Sequence, residues 1–95
     1  FVGSFSPAAF NTNACEVAVK RYQAGEYETR HHHKVATEIT LILEGRVCMN
    51  EIEYLAGDIV VIDPLTSTDF RVLEATITVV VKVPGASSDK YLGDA

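Results

Sequence analysis

The chain has no concentration of positive charge. Its 95 residues carry 8 Lys and Arg against 13 Asp and Glu, a formal net charge of -5, and no basic block. Nucleic-acid binding is therefore not expected, because phosphate recognition needs clustered Lys and Arg. Long apolar runs are also missing. Ile77 to Val81, for example, is broken by Thr78 and flanked by Lys82, well short of the roughly 20 residues that span a bilayer. The first residues show no basic n-region and no long apolar h-region, so no signal peptide is visible and a cytoplasmic location is expected. Cysteine is scarce: Cys15 and Cys48 form no C-x-x-C pair, which argues against structural zinc, and both are expected to be reduced. There is no G-x-S-x-G elbow and no Gly-rich phosphate loop, and no stretch has a convincing helical period.

What is present is a series of short strands. Apolar residues make up 47% of the chain, which fits one folded domain. From Glu16 the sequence alternates, with Val17, Val19 and Arg21 on one face and Glu16, Ala18, Lys20 and Tyr22 on the other, a strand pattern. Ala24-Gly25 turns the chain into an extended segment from Tyr27 to Lys34. Ile39 to Leu43 is short and rich in β-branched residues, hence a buried strand. Arg46 to Met49 and Ile52 to Leu55 form a hairpin about Asn50-Glu51. Asp58 to Ile62 is another buried strand, stopped by Asp63-Pro64. Phe70 to Leu73 and Thr76 to Val83 supply two more. Seven or eight strands between Gly, Pro and Asn turns predict an all-β barrel or sandwich. Residues 1–14 read as an irregular arm, 15–84 as the barrel and 85–95 as a polar tail.

The chemistry concentrates between residues 25 and 45, where Gly25, His31, His33, Glu38 and Gly45 stand in the spacing G-x5-H-x-H-x4-E-x6-G. In an extended strand, side chains at i and i+2 share a face. His31 and His33 can converge while His32 points away, toward solvent. Glu38 opens the next strand and can supply a carboxylate from a neighbour. Two neutral imidazoles and a carboxylate with open positions suit a divalent transition metal.

This segment resembles the first motif of the cupin superfamily, G-x5-H-x-H-x3-4-E-x6-G, with every specified position filled. The second cupin motif, G-x5-P-x-G-x2-H-x3-N, is matched only in its Gly57-Asp58-apolar-Pro64 skeleton. Its histidine position falls on Thr68 counted from Gly57, or on Asp69 counted from Pro64, and its final Asn is absent. The resemblance implies a double-stranded β-helix, the cupin jelly-roll barrel. It also implies one divalent metal (Fe, Mn, Ni or Zn) on His31, His33 and Glu38. Asp69 is a candidate fourth ligand, whose oxygen would make the site harder and favour Mn or Fe(II). Tyr22, Tyr27, Arg46 and Thr68 are candidates for contacting a ligand in the barrel.

Three functions follow. The first is a metalloenzyme acting on a small polar metabolite, carbohydrate-like compounds included. The second is a ligand-binding sensor without turnover. The third is a metal-free epimerase- or isomerase-like cupin using a histidine as base. A homodimer is expected, because a small barrel exposes sheet edges that pairing covers.

Overall fold

The computed structural model describes residues 1–95, and every regular element in it is a strand. The principal strands are β3 (Glu16–Tyr22), β4 (Tyr27–His32), β5 (Thr37–Glu44), β6 (Arg46–Met49), β7 (Ile52–Leu55), β8 (Ile59–Ile62), β9 (Thr68–Val72) and β10 (Thr76–Val83). Two-residue strands lie at the ends: β1 (Val2–Gly3), β2 (Phe10–Asn11) and β11 (Tyr91–Leu92). They form two facing sheets, one in the order β2-β1-β3-β10-β5-β8 and one in the order β11-β4-β9-β6-β7. This is the all-β double-stranded β-helix that the sequence predicts.

The core lies between the sheets. Ile42, Val47, Met49, Ile62, Phe70 and Val72 form one buried cluster, with Tyr22, Tyr54 and Val60 packed against it. Its members come from β5 and β8 of one sheet and β6 and β9 of the other, so neither sheet could bury them alone. The β6–β7 hairpin turns on Asn50 and Glu51, both with positive φ (49° and 66°). Such a pair matches the right-handed twist of the flanking strands, which explains a tight hairpin without an Asn-Gly.

The inner face of the first sheet is unusually polar for a core wall. Across β3, β10 and β5 the register sets Lys82 between Glu16 and Glu38, and pairs Lys20 with Thr78. Side chains of one row share a face, so these polar groups line the space between the sheets while Val19 on β3 faces outward.

The two chain ends are tied to the barrel. Val2 on β1 pairs with Val17, and the N-terminal amine donates to the Val17 carbonyl at 2.8 Å. The polar composition of residues 85–95 promised little to hold them. Yet β11 pairs with β4, Tyr91 opposite His32 and Leu92 opposite His31, and the Asp89 carboxylate accepts from the backbone N–H groups of Lys34, Val35 and Ala36.

Candidate metal centre

β4 delivers the histidines. Its pairing with β9 slips between Glu28 and His31, and this irregularity lets both residues, three apart, face the same cavity. His31 and His33 are both buried, their ring centroids 5.4 Å apart in an edge-to-face arrangement. Each Nδ1 lies against a backbone carbonyl, that of Thr29 for His31 (3.0 Å) and that of Asp89 for His33. A carbonyl only accepts, so each Nδ1–H is the donor and each Nε2 of the neutral ring keeps its lone pair. Metal-ligating imidazoles are oriented in this way. His33 Nε2 is buried with no hydrogen-bond partner.

Glu38, on β5, brings Oε1 to 3.5 Å from His33 Nε2, and Thr40 Oγ1 donates to its Oε2 at 3.3 Å. The carboxylate beside the ring raises the His33 pKa above the ordinary value, against the opposing effect of burial. Burial acts to raise Glu38, but His33, Lys82 and Lys20 together hold it below the usual carboxylate value. Glu38 thus meets His33 directly, and no three His, Cys, Asp or Glu side chains are gathered in a metal-holding arrangement.

The remaining candidates separate by strand face. Thr68 pairs with His31 across β4 and β9 and lines the same cavity. Asp69, its neighbour, faces the other way, where its Oδ1 accepts from the Asn50 N–H at 2.9 Å. Tyr22 lines the cavity and donates to Glu28 Oε1 at 3.1 Å. Burial, with the Glu28 carboxylate, raises its pKa, so the phenol stays protonated. Tyr27 is 58% exposed, away from the cavity. Arg46 is held outside by Glu53 and Glu74, at 3.2 and 3.0 Å. The cavity therefore gathers His31, Glu38, Tyr22 and Thr68, with His33 joined to it through Glu38 and the His31 ring, and leaves out Asp69, Tyr27 and Arg46.

His32 requires a correction. It does point away from His31 and His33, but not into solvent: it is 4% exposed. Its Nδ1 bonds the Gly93 carbonyl at 2.9 Å, and its ring stacks on Tyr91 with centroids 5.5 Å apart. The tail strand covers what alternation alone leaves open.

Sequence reasoning missed four residues of the site. Lys20, Glu28 and Thr78 line the cavity, and Asp89 orients His33 through its carbonyl. Lys20 and Glu28 sit on strand faces whose polarity reads as solvated. Thr78 Oγ1 is buried without a hydrogen-bond partner, which no local pattern announces. The cavity itself has room for about one water, about 20 Å³. Beside it, sharing Lys20 and Val80, opens a wider recess of about 200 Å³ lined by Phe5, Ala18 and Lys82.

No protein-family model matches the chain, and no curated protein matches it by sequence. Solved structures do. An uncharacterized protein with a double-stranded β-helix domain from Klebsiella pneumoniae matches 88% of this chain and 74% of its own, with 24% identity and a TM-score of 0.78. The DMSP lyase DddQ from Ruegeria pomeroyi matches 87% of this chain at 22% identity and a TM-score of 0.74. This chain spans only 45% of that enzyme. A cupin-2 domain protein from Shewanella frigidimarina matches 76% of this chain and 72% of its own, at 16% identity and a TM-score of 0.64. These superpositions show the fold: the chain is a double-stranded β-helix, like the domains of these proteins.

Proposed function

We propose that this cupin holds one divalent transition metal through His31, His33 and Glu38 and acts on a small polar metabolite that reaches the barrel from the wider recess. The observation that carries this reading is His33: an imidazole only 5% exposed, its Nδ1 engaged by a backbone carbonyl and its Nε2 without a hydrogen bond, facing the Glu38 carboxylate at 3.5 Å. A buried polar atom without a partner is costly, and an ion would satisfy it. Thr68 stands where the second motif usually has histidine, which leaves a position open for water or ligand. A bound divalent ion would supply Lewis-acid polarisation of a ligand oxygen. The chain's own groups do the rest. Thr78 Oγ1 and the Lys20 ammonium present hydrogen-bonding groups to the ligand. The protonated Tyr22 phenol, anchored on Glu28, keeps the wall opposite in place.

A second reading, a metal-free site in which His33 serves as an acid–base group, is favoured by the direct approach of Glu38 to His33 at 3.5 Å. Elemental analysis decides between them. Tag-free protein purified without chelator should carry near-stoichiometric metal, and a His31→Ala/His33→Ala double variant none. Iron would direct attention to dioxygen chemistry, and Mn, Ni or Zn to Lewis-acid chemistry. A parent protein that is metal-free and takes up none of these ions when they are added removes the first reading and leaves the second.

A further inference from the structure

Lys20 stands at the boundary between the small cavity and the wider recess and lines both. The register sets it beside Thr78 on the inner face of the first sheet, with Ala18 and Val80 as the next pair along that face. Both residues of the first pair lack a partner in the chain. The half-buried Lys20 ammonium is in no ion pair. Thr78, 1% exposed, carries a buried Oγ1 with no hydrogen bond. The carboxylates nearby are engaged elsewhere: Glu28 accepts from Tyr22, and Glu38 accepts from Thr40 and faces His33. Lys82, the other inward lysine, lies between Glu16 and Glu38 in its row, so its charge is matched across the sheet. Lys20 has only a threonine across from it. An unsatisfied buried hydroxyl is costly, and a cation beside it without a counter-charge makes the pair a site that lacks its acceptor.

We propose that Lys20 and Thr78 form a carboxylate-binding subsite, and that the ligand of this barrel is a small monocarboxylate whose hydrocarbon part lies in the recess. This deepens the metal-bearing reading of the same site and rests on it. The ammonium and the hydroxyl both donate to the carboxylate oxygens, the first as a charge-assisted bond. Size favours a carboxylate over other anions. The cavity beside Thr78 has room for about one water, about 20 Å³, so a single oxygen enters it, and the three-oxygen end of a phosphate or sulfonate is too broad. Charge fits as well. The cavity lining sets Lys20 against Glu28 and Glu38, so a divalent ion on His31, His33 and Glu38 leaves one positive charge in excess, the charge that one carboxylate balances. The recess of about 200 Å³ has Phe5, Val17, Ala18 and Val80 among its walls, which suits a short hydrocarbon body. A neutral carbohydrate would leave Lys20 without a counter-charge and set hydroxyls against the Phe5 ring.

Isothermal titration of the full chain, first with Zn²⁺ and then, once saturated, with sodium butyrate, tests the assignment. A parent that takes up no Zn²⁺ removes the metal-bearing reading and the subsite with it; every later result concerns the subsite alone. The Zn²⁺-saturated parent should bind butyrate about tenfold more tightly than acetate, because two more carbons are buried. Lys20→Met, which keeps the hydrocarbon stem, should weaken butyrate by about tenfold or more, and Lys82→Met by less than about threefold. Thr78→Val should weaken butyrate about fivefold while leaving the melting temperature of the metal-free protein equal or higher, since it removes an unsatisfied hydroxyl. A Zn²⁺-saturated parent that binds no butyrate overturns the proposal. So does butyrate held equally by the parent and Lys20→Met, or lost equally in Lys20→Met and Lys82→Met. Acetate as tight as butyrate overturns the place of the hydrocarbon part. Methyl phosphate as tight as butyrate overturns the choice of a carboxylate, and full affinity in Thr78→Val overturns the role of the hydroxyl.

Discussion

At the scale of single residues, the three consecutive histidines show how one position decides a role. His31 lines the cavity and His33 stands behind it against Glu38, while His32 is locked between Tyr91 and the Gly93 carbonyl. His33→Ala should abolish metal uptake. His32→Ala should keep uptake and lower stability by about 1–2 kcal/mol, from a lost hydrogen bond and ring stack. Isothermal titration with Zn²⁺ or Ni²⁺, paired with urea denaturation, separates the two, and equal loss of uptake in both variants would contradict the strand geometry. Asp89 gives a second prediction. Burial acts to raise its pKa, but the N–H groups of Ala36, Lys34 and Val35 prevail and hold it below the ordinary value. A carboxyl depressed in the folded state stabilises fully above its unfolded pKa and loses that contribution as pH falls through the folded one. Asp89→Ala should therefore cost about 2–3 kcal/mol near neutrality, and the gap to the parent should begin to narrow below about pH 4 and keep narrowing toward the depressed folded value. Urea midpoints at pH 7 and pH 3 read both effects; a gap as wide at pH 3 as at pH 7 would refute the ionic role.

Elements tell a related story through their turns. Gly25, Gly45 and Gly57 all occupy positive φ, near 91°, 95° and 94°, but they differ in surroundings. A Cβ at Gly45 would collide with the Ala75 carbonyl and with Thr76. At Gly57 the space is open and only the backbone conformation resists. Gly45→Ala should therefore cost at least about 3 kcal/mol, strain and overpacking together, and Gly57→Ala about 1–2 kcal/mol. Thermal or urea unfolding of both variants checks the order. The strands themselves were largely legible: β3, β6, β7 and β10 run where alternation and turn residues place them, because those signals are local. The exceptions have tertiary causes. β9 begins at Thr68 because it must pair with β4, and β11 exists only because β4 has a free edge for it to join.

For the whole molecule, metal and stability are linked. A ligand that binds only the folded barrel raises its stability by about 2.7 kcal/mol at a concentration 100 times its Kd. Adding such a metal should raise the parent's melting temperature and leave the His31→Ala/His33→Ala variant unmoved. The ligating imidazoles must be neutral, so retention should fall as pH drops toward and below about 6.5. Retention that stayed flat to about pH 5 would argue against histidine ligation. What the linear sequence determined alone was the all-β class and the spacing that sets His31, His33 and Glu38 on two strands, since a two-residue side-chain period and short turns are properties of neighbouring residues. Only the tertiary structure decided which face of each strand is inside. Pairing and closure turned Lys20, Glu28 and Thr78 inward, and set Thr68 rather than Asp69 beside His31. They also laid residue 89 against residues 33–36, a contact between groups more than fifty positions apart that no local pattern encodes.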